Sequence, residues 1–378
     1  MNRRWVCNDV WMDILPCFDR PQLGLKLALL SPRFNALVDK HFDGKSELTI
    51  WKRILIRRKK NSVTTATAAS ELAVVIDKSY CSNYDANSVR FPLPDRPLPR
   101  KIRFSDLHIR YIDHSVIAFL RSNHQIFDKR GTNLQFLIPS LRESNGQPLW
   151  DVLAREIWPI LSENICHLDF YNGDNLDNLL RRTSPTILTD LLNLNSIDAC
   201  DLWPAAIGDD FDVQNATISA GQALTKWLHT PRKDGQPRRL HCVDLDEQET
   251  TDWVNNFKEQ FLRANAISSV SYQIYFSVRV PSMPIVPFEL VNECTKEKLT
   301  LAIAIEWDKC WIMKRCKIIG ESAAVQQQQK KDEKWINNCN NVAIGLFNRA
   351  SCIGPLSPPP EEEAGQSITK VTSSADNE

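Results

Sequence analysis

The fold class predicted by this sequence is α/β or α+β: a short helical segment, then an α/β body, then an antiparallel β segment. Three observations carry that expectation. Residues 8–43 are apolar and punctuated by Pro16, Pro21 and Pro32, the spacing of three short helices. Between residues 101 and 265, strand-like runs alternate with runs at helical spacing, which implies parallel strands joined by crossovers. Beyond residue 266 the period changes, and Val270, Tyr272, Ile274, Phe276, Val278 and Val280 alternate as a β-strand does.

At the start, Asn8 or Asp9 is expected to cap a helix through Val10, Trp11, Ile14 and Leu15, which Pro16 stops or bends. Asp19 offers a second cap, with Pro21 in the first turn, where a missing N–H costs little. Leu23, Leu27 and Leu30 then share one helical face, widened by Leu25 and Leu29, while Gly24 lowers the local helix propensity. Ser31-Pro32 reads as cap and first residue of a third helix, striped by Phe34, Leu37, Val38 and Phe42. So small a trio cannot bury a self-sufficient core, and is expected to dock on something larger.

This run resembles an F-box. The features that match are the Ile14-Leu15 pair, Asp19-Arg-Pro-Gln-Leu23 before the second helix, and Leu29-Leu-Ser-Pro-Arg-Phe-Asn-Ala-Leu-Val38 where the family has its Ser-Arg-Arg-Phe-like signature. Where the family usually opens with Leu-Pro, this chain has Asn8-Asp9-Val10-Trp11. The resemblance implies helices that hold a Skp-type adaptor, which bridges to a cullin ubiquitin ligase. It implies that Ile14, Leu15, Phe18, Leu23, Leu27, Leu30, Ser31, Phe34 and Leu37 form the F-box core and the adaptor face. The wording of the segment also resembles a group of nematode F-box proteins that pair this start with an α/β body.

The remaining chain divides by pattern. Residues 5–45 form the helical unit and 46–100 a β-prone basic segment and linker. Within the latter, Leu48–Lys60 is strand-like and ends in a basic cluster; a nuclear import or nucleic-acid patch is possible there, and a solvated strand end is preferred. Residues 101–265 are the body. Strands are expected over 101–112, 132–138, 165–171 and 240–245, and helices over 114–127, 149–161, 219–228 and 250–264, with 186–197 ambiguous. Cys166-His-Leu-Asp-Phe170, Ser196-Ile-Asp-Ala-Cys200 and His241-Cys-Val-Asp-Leu245 share a faint likeness. Their spacing is irregular, so the expectation is a leucine-rich-repeat-like stack and not a strict repeat. Residues 266–320 are read as the antiparallel segment, with a hairpin at Thr295–Lys298 and a strand over Cys310–Ile318. The last stretch, 321–378, is low in complexity and expected to be largely disordered, because Pro358-Pro-Pro360, Glu361-Glu-Glu363 and the Ser/Thr-rich end bury little apolar surface.

Composition narrows the function classes. Lys+Arg and Asp+Glu stand at 46 each, without the basic excess of a nucleic-acid binder. Eleven cysteines occur with no Cys-x-x-Cys, and the N-terminus has no apolar secretory core, so thiols in a reducing compartment are expected, cytoplasmic and conceivably nuclear. No run of about 20 apolar residues suggests a membrane span. None of the seven histidines has metal-ligand spacing, no Gly-rich phosphate loop or Gly-x-Ser-x-Gly elbow exists, and no catalytic, cofactor or metal residues are expected. Cys242 beside His241 reads as a buried strand cysteine. Among the 11 tryptophans, Trp203, Trp307 and Trp311 lie near loops or strand ends, as exposed hot spots do. The basic loop Thr230–Arg239 fits an acidic partner and a solvated turn equally well.

These readings converge on a non-enzymatic adaptor that links an unknown protein target to a Skp-cullin ligase, acting by proximity. The rivals are an interaction scaffold unrelated to ubiquitin and an enzyme with a dispersed site.

Overall fold

A computed structural model describes residues 6–18, 22–43, 49–58, 70–75, 88–94, 96–98, 102–124, 131–139, 147–205, 218–265, 270–278, 285–304, 310–318, 339–346 and 352–357. Among these residues, 13 strands form one sheet. In chain order the strands are β1 (Thr49–Arg58), β2 (Ser70–Val75), β3 (Ser88–Pro92), β4 (Ile102–Ile109), β5 (Thr132–Phe136), β6 (Ile165–Phe170), β7 (Ser196–Cys200), β8 (Arg238–Leu245), β9 (Tyr272–Val278), β10 (Phe288–Asn292), β11 (Glu297–Ile303), β12 (Cys310–Lys317) and β13 (Asn340–Ile344). Their order in space is β10-β11-β12-β9-β8-β7-β6-β5-β13-β4-β1-β2-β3.

The centre of the sheet, from β1 to β9, is parallel. Antiparallel strands close both ends, β2 and β3 at one and β12, β11 and β10 at the other. The expected hairpin is present, with a turn at residues 293–296 between β10 and β11. The antiparallel segment continues the body's sheet, because β9 pairs in parallel with β8 on one side and antiparallel with β12 on the other.

From β5 to β9 each strand lies next to its predecessor, so the sheet grows in one direction. Right-handed crossovers, the near-universal hand, then put every connecting helix on the same face. Helix Gly173–Arg182 accordingly touches both Gln147–Val152 before it and Ala220–Leu228 after it. Local side chains start these helices. Asp113 accepts from Val116 N at 2.9 Å, Asn172 from Asn175 N at 3.1 Å, and Asp246 from Gln248 N at 2.9 Å. Ser219 and Gln222 form a reciprocal capping box.

Between sheet and helices lies the main core. Leu107, Val342, Leu134, Leu168, Ile197, Leu240 and Ile274 make one buried row across seven strands. Phe136 and Phe170 stack in the next row at 5.6 Å. A tight crevice lined by Leu134, Phe136, Leu153, Trp158 and Ile344 belongs to this core.

β13 departs furthest from expectation. It falls inside the 321–378 stretch read as low in complexity and largely disordered, yet it occupies the middle of the sheet, between β4 and β5. Val342, Ala343, Ile344 and Leu346 are all buried, a short apolar run of the kind that parallel centre strands use. Residues 352–357 also dock, with Ile353 bridging Ile112 and Gly354 N donating to Ile112 O at 2.8 Å. The glutamine run 326–329 and residues 358–378 lie outside the described residues.

Candidate functional site

Residues 8–43 make three helical pieces: Asn8–Ile14 continued by Leu15–Cys17, a tight irregular stretch over Leu23–Leu30, and Pro32–Asp43. Gly24, a poor helix former, sits in the irregular piece, whose turn is widened to π geometry. The third helix starts as read, with Phe34 N donating to Ser31 Oγ at 3.3 Å. The first does not. Its N-cap is Cys7, with no side-chain cap, and Asn8 Oδ1 instead accepts from the Arg33 guanidinium at 2.8 and 3.0 Å, fastening the first helix to the third. Asp19 and Pro21 lie outside the described residues.

The predicted site residues split into two groups. Leu15, Leu23, Leu27 and Leu37 are buried with Ala28, Val38 and Phe42 in a small core of their own, against which Phe34 and Trp11 pack edge to face at 4.8 Å. Ile14 and Ser31 are half-buried. Phe18 and Leu30 face solvent, 37% and 65% exposed, as do Val6 and Val10. Of the thirteen large hydrophobic side chains exposed among the described residues, four therefore fall within residues 6–30. This unit also rests on the body: Leu25 joins the main core and Lys26 lies over the Phe91 ring of β3 at 5.5 Å.

A second surface, which sequence reasoning missed, is the sheet face opposite the helices that connect β5 to β9. Side chains alternate along a strand, so the neighbours of each buried row turn to the opposite face. One such row runs Asp106, Asn341, Asn133, His167, Ser196, Arg239 and Gln273, and the next runs His108, Ala343, Gln135, Asp169, Asp198, His241 and Tyr275. Asn341 Nδ2 donates to Asp106 Oδ1 and Asn133 Nδ2 to Asn341 Oδ1, each at 3.1 Å. Gln135 Nε2 donates to Asp169 Oδ2. Asp198 stands between two imidazoles, with His167 Nε2 at 3.6 Å and His241 Nδ1 at 3.5 Å, and the His241 ring lies 4.7 Å from that of Tyr275.

Burial sets the protonation of this cluster. Burial, then the nearby His241, pushes His167 down to about 4. Burial and Arg239 bring His241 down to about 4. Burial and Asp169 push Asp198 up to about 7. Asp198 keeps 38% of its side-chain surface, so water shields it more than it does His167, and its rise is the weaker of these effects. The arrangement is a polar wall of amides, imidazoles, carboxylates and a phenol, suited to hydrogen bonding a partner. Among the described residues no three His, Cys, Asp or Glu side chains are placed to hold a metal ion. The faint repeat around Cys166, Ser196 and His241 was its signal: those segments supply the cluster.

Other candidates prove structural. Trp203 is not an exposed hot spot but half-buried, stacked on Trp253 at 4.2 Å. Trp311 packs against the core, and Trp307 lies outside the described residues. In the basic loop, Arg232 pairs with Asp234, and Arg238 is buried against Trp227, donating to Thr230 O and Leu194 O. Arg57, within the basic cluster of β1, is buried. Cys242 is fully buried, with its thiol pushed up by burial and Asp198. No helix among the described residues is long and apolar enough to cross a membrane.

Comparison with protein-family models, with curated proteins and with solved structures found no match to this chain.

Proposed function

We propose that this chain is a substrate-recognition subunit of a Skp-cullin ubiquitin ligase, with residues 5–45 as a three-helix F-box and the sheet body as the target-binding unit. The observation that carries the reading is the division of labour among the N-terminal side chains. Four leucines, with Ala28, Val38 and Phe42, build a private core, while Val6, Val10, Phe18 and Leu30 remain uncovered. Apolar surface left over by so small a unit suits a partner. The strands from β5 to β9, each added beside its predecessor, support the reading of the body as an irregular leucine-rich-repeat-like stack. Its polar face, opposite the helices that connect β5 to β9, suits a protein target, which the ligase would ubiquitinate by raised effective concentration. No residue of the chain would do bond chemistry on the target or need a cofactor, and the protein would work in the cytoplasm or nucleus.

The second reading is a protein-interaction scaffold unrelated to ubiquitin, whose N-terminal helices only cap the sheet. It is favoured by Leu25 in the main core and Lys26 over Phe91. Co-expression of the full chain with a Skp-type adaptor and a cullin separates the two. Recovery of a three-protein complex supports the ligase reading, and recovery of the chain alone supports the scaffold.

A further inference from the structure

The sulphurs of Cys166 and Cys339 lie 3.4 Å apart although the residues are 173 positions apart in sequence. They come from strands that are not neighbours: Cys166 is in β6, Cys339 immediately precedes β13, and β5 runs between. Three local irregularities bring them together. Cys166 is the extra residue of a β-bulge, because Thr132 pairs with Ile165 and Asn133 with His167. Asn340 N donates to Gly131 O at 3.1 Å, which sets Cys339 beside the start of β5. Gly131 itself adopts φ +83° and has no side chain; a Cβ there would lie 2.9 Å from Cys166 Sγ and 3.6 Å from Cys339 Sγ. Just before the intervening strand, the missing side chain at Gly131 lets the two thiols meet.

We propose that Cys166 and Cys339 form a reversible disulfide that clasps β13, the strand inserted in the middle of the sheet, to β6. The bond needs the sulphurs to close from 3.4 Å to about 2.05 Å. The oxidant is a peroxide. The hydrogen bond from Cys166 lowers the Cys339 thiol. One of the two sulphurs takes one oxygen of hydrogen peroxide, giving a sulfenic acid as the O–O bond breaks and the other oxygen leaves as water. The other sulphur then displaces the sulfenic oxygen, which departs as a second water carrying that thiol's proton. Two thiols thereby give two electrons to one peroxide, and a dithiol reductant reverses the step. Cytosolic disulfides that are transient and redox-responsive are of this kind. The inference is independent of the ubiquitin reading.

The test uses the full chain, purified reduced, titrated with hydrogen peroxide, alkylated in denaturant and digested without reduction. The expected result is a linked Cys166–Cys339 peptide pair whose share grows with peroxide and disappears with dithiothreitol. It is accompanied by a rise of roughly 5–10 °C in the melting midpoint. Cys339→Ser should abolish both, whereas Cys7→Ser, at an exposed position, should change neither. If Cys339→Ser does not fold, the wild-type digest and melt decide alone. The proposal is overturned if both thiols remain alkylatable once exposed Cys7 and Cys294 are oxidised, if either links to another cysteine, or if full linkage leaves the midpoint unchanged.

Discussion

The side-chain amide of Asn341 donates to the carboxylate of Asp106 at 3.1 Å across 235 positions of sequence. That bond exists because β13 fills the slot between β4 and β5, so strands joined by a single crossover are not neighbours until the end of the chain arrives. Asn341 also accepts from Asn133 on the other side, giving β13 polar ties to both flanking strands as well as its ladder.

Removal of β13 should therefore be catastrophic where loss of the end is not. A chain truncated after residue 338 leaves two parallel strands with open ladders and a hole lined by Leu107 and Leu134, and it should lose its cooperative thermal transition. A chain truncated after residue 357, shorn of its Pro-, Glu- and Ser-rich end, should stay within about 0.5 kcal/mol of the full chain in urea unfolding. Circular dichroism melts of the two truncations check this directly.

The antiparallel end of the sheet hangs on a buried charge. Glu297 is fully buried and Arg315 nearly so, joined at 2.6 Å, with the guanidinium over the Phe261 ring at 5.6 Å. Glu297→Ala, which strands a buried guanidinium, should cost about 3–5 kcal/mol. Replacing both partners together, by Glu297→Leu with Arg315→Met, should cost much less than that single change. A double-mutant cycle by denaturant unfolding reads the difference.

Acid should destabilise the fold before it titrates most carboxylates. Burial holds His167, His229 and His241 at about 4, below the ordinary 6.5. Between those values the unfolded chain binds more protons than the folded one, so stability present above pH 6.5 is lost as pH falls toward 4. Asp198, raised to about 7, and Asp169, raised by burial, act oppositely, since the folded chain holds their protons longer. Three histidines against these two carboxyls leave a net loss on acidification. The melting midpoint should fall from pH 6.5 to 4, and His229→Gln should flatten that slope; an unchanged slope would remove His229 from the account.

Much of the fold was legible in the sequence because the alternation of strand and helix in the body is local physics. Capping side chains such as Asp246 and Ser219 fix helix starts from within a few residues. What was not legible is non-local. Nothing near Val342 says that this five-residue strand belongs between two strands more than 200 positions earlier, and a low-complexity neighbourhood hides its short apolar run. Trp203 looked exposed because it sits next to a proline in a loop; its burial depends on Trp253, which only the crossover brings near. At the N-terminus the apolar pattern did not sort Leu23 and Leu27, which face inward, from Phe18 and Leu30, which face out.

Titration calorimetry of the full chain with a purified Skp-type adaptor tests the central claim most directly, comparing wild type with the double variant Phe18→Asp, Leu30→Asp. Both positions are exposed, so the variant should keep the wild-type melting midpoint. The account predicts one adaptor bound per wild-type chain and at least a tenfold weaker affinity for the variant, the loss of about 1.4 kcal/mol or more. No binding by the wild-type chain, or equal binding by both, would contradict it.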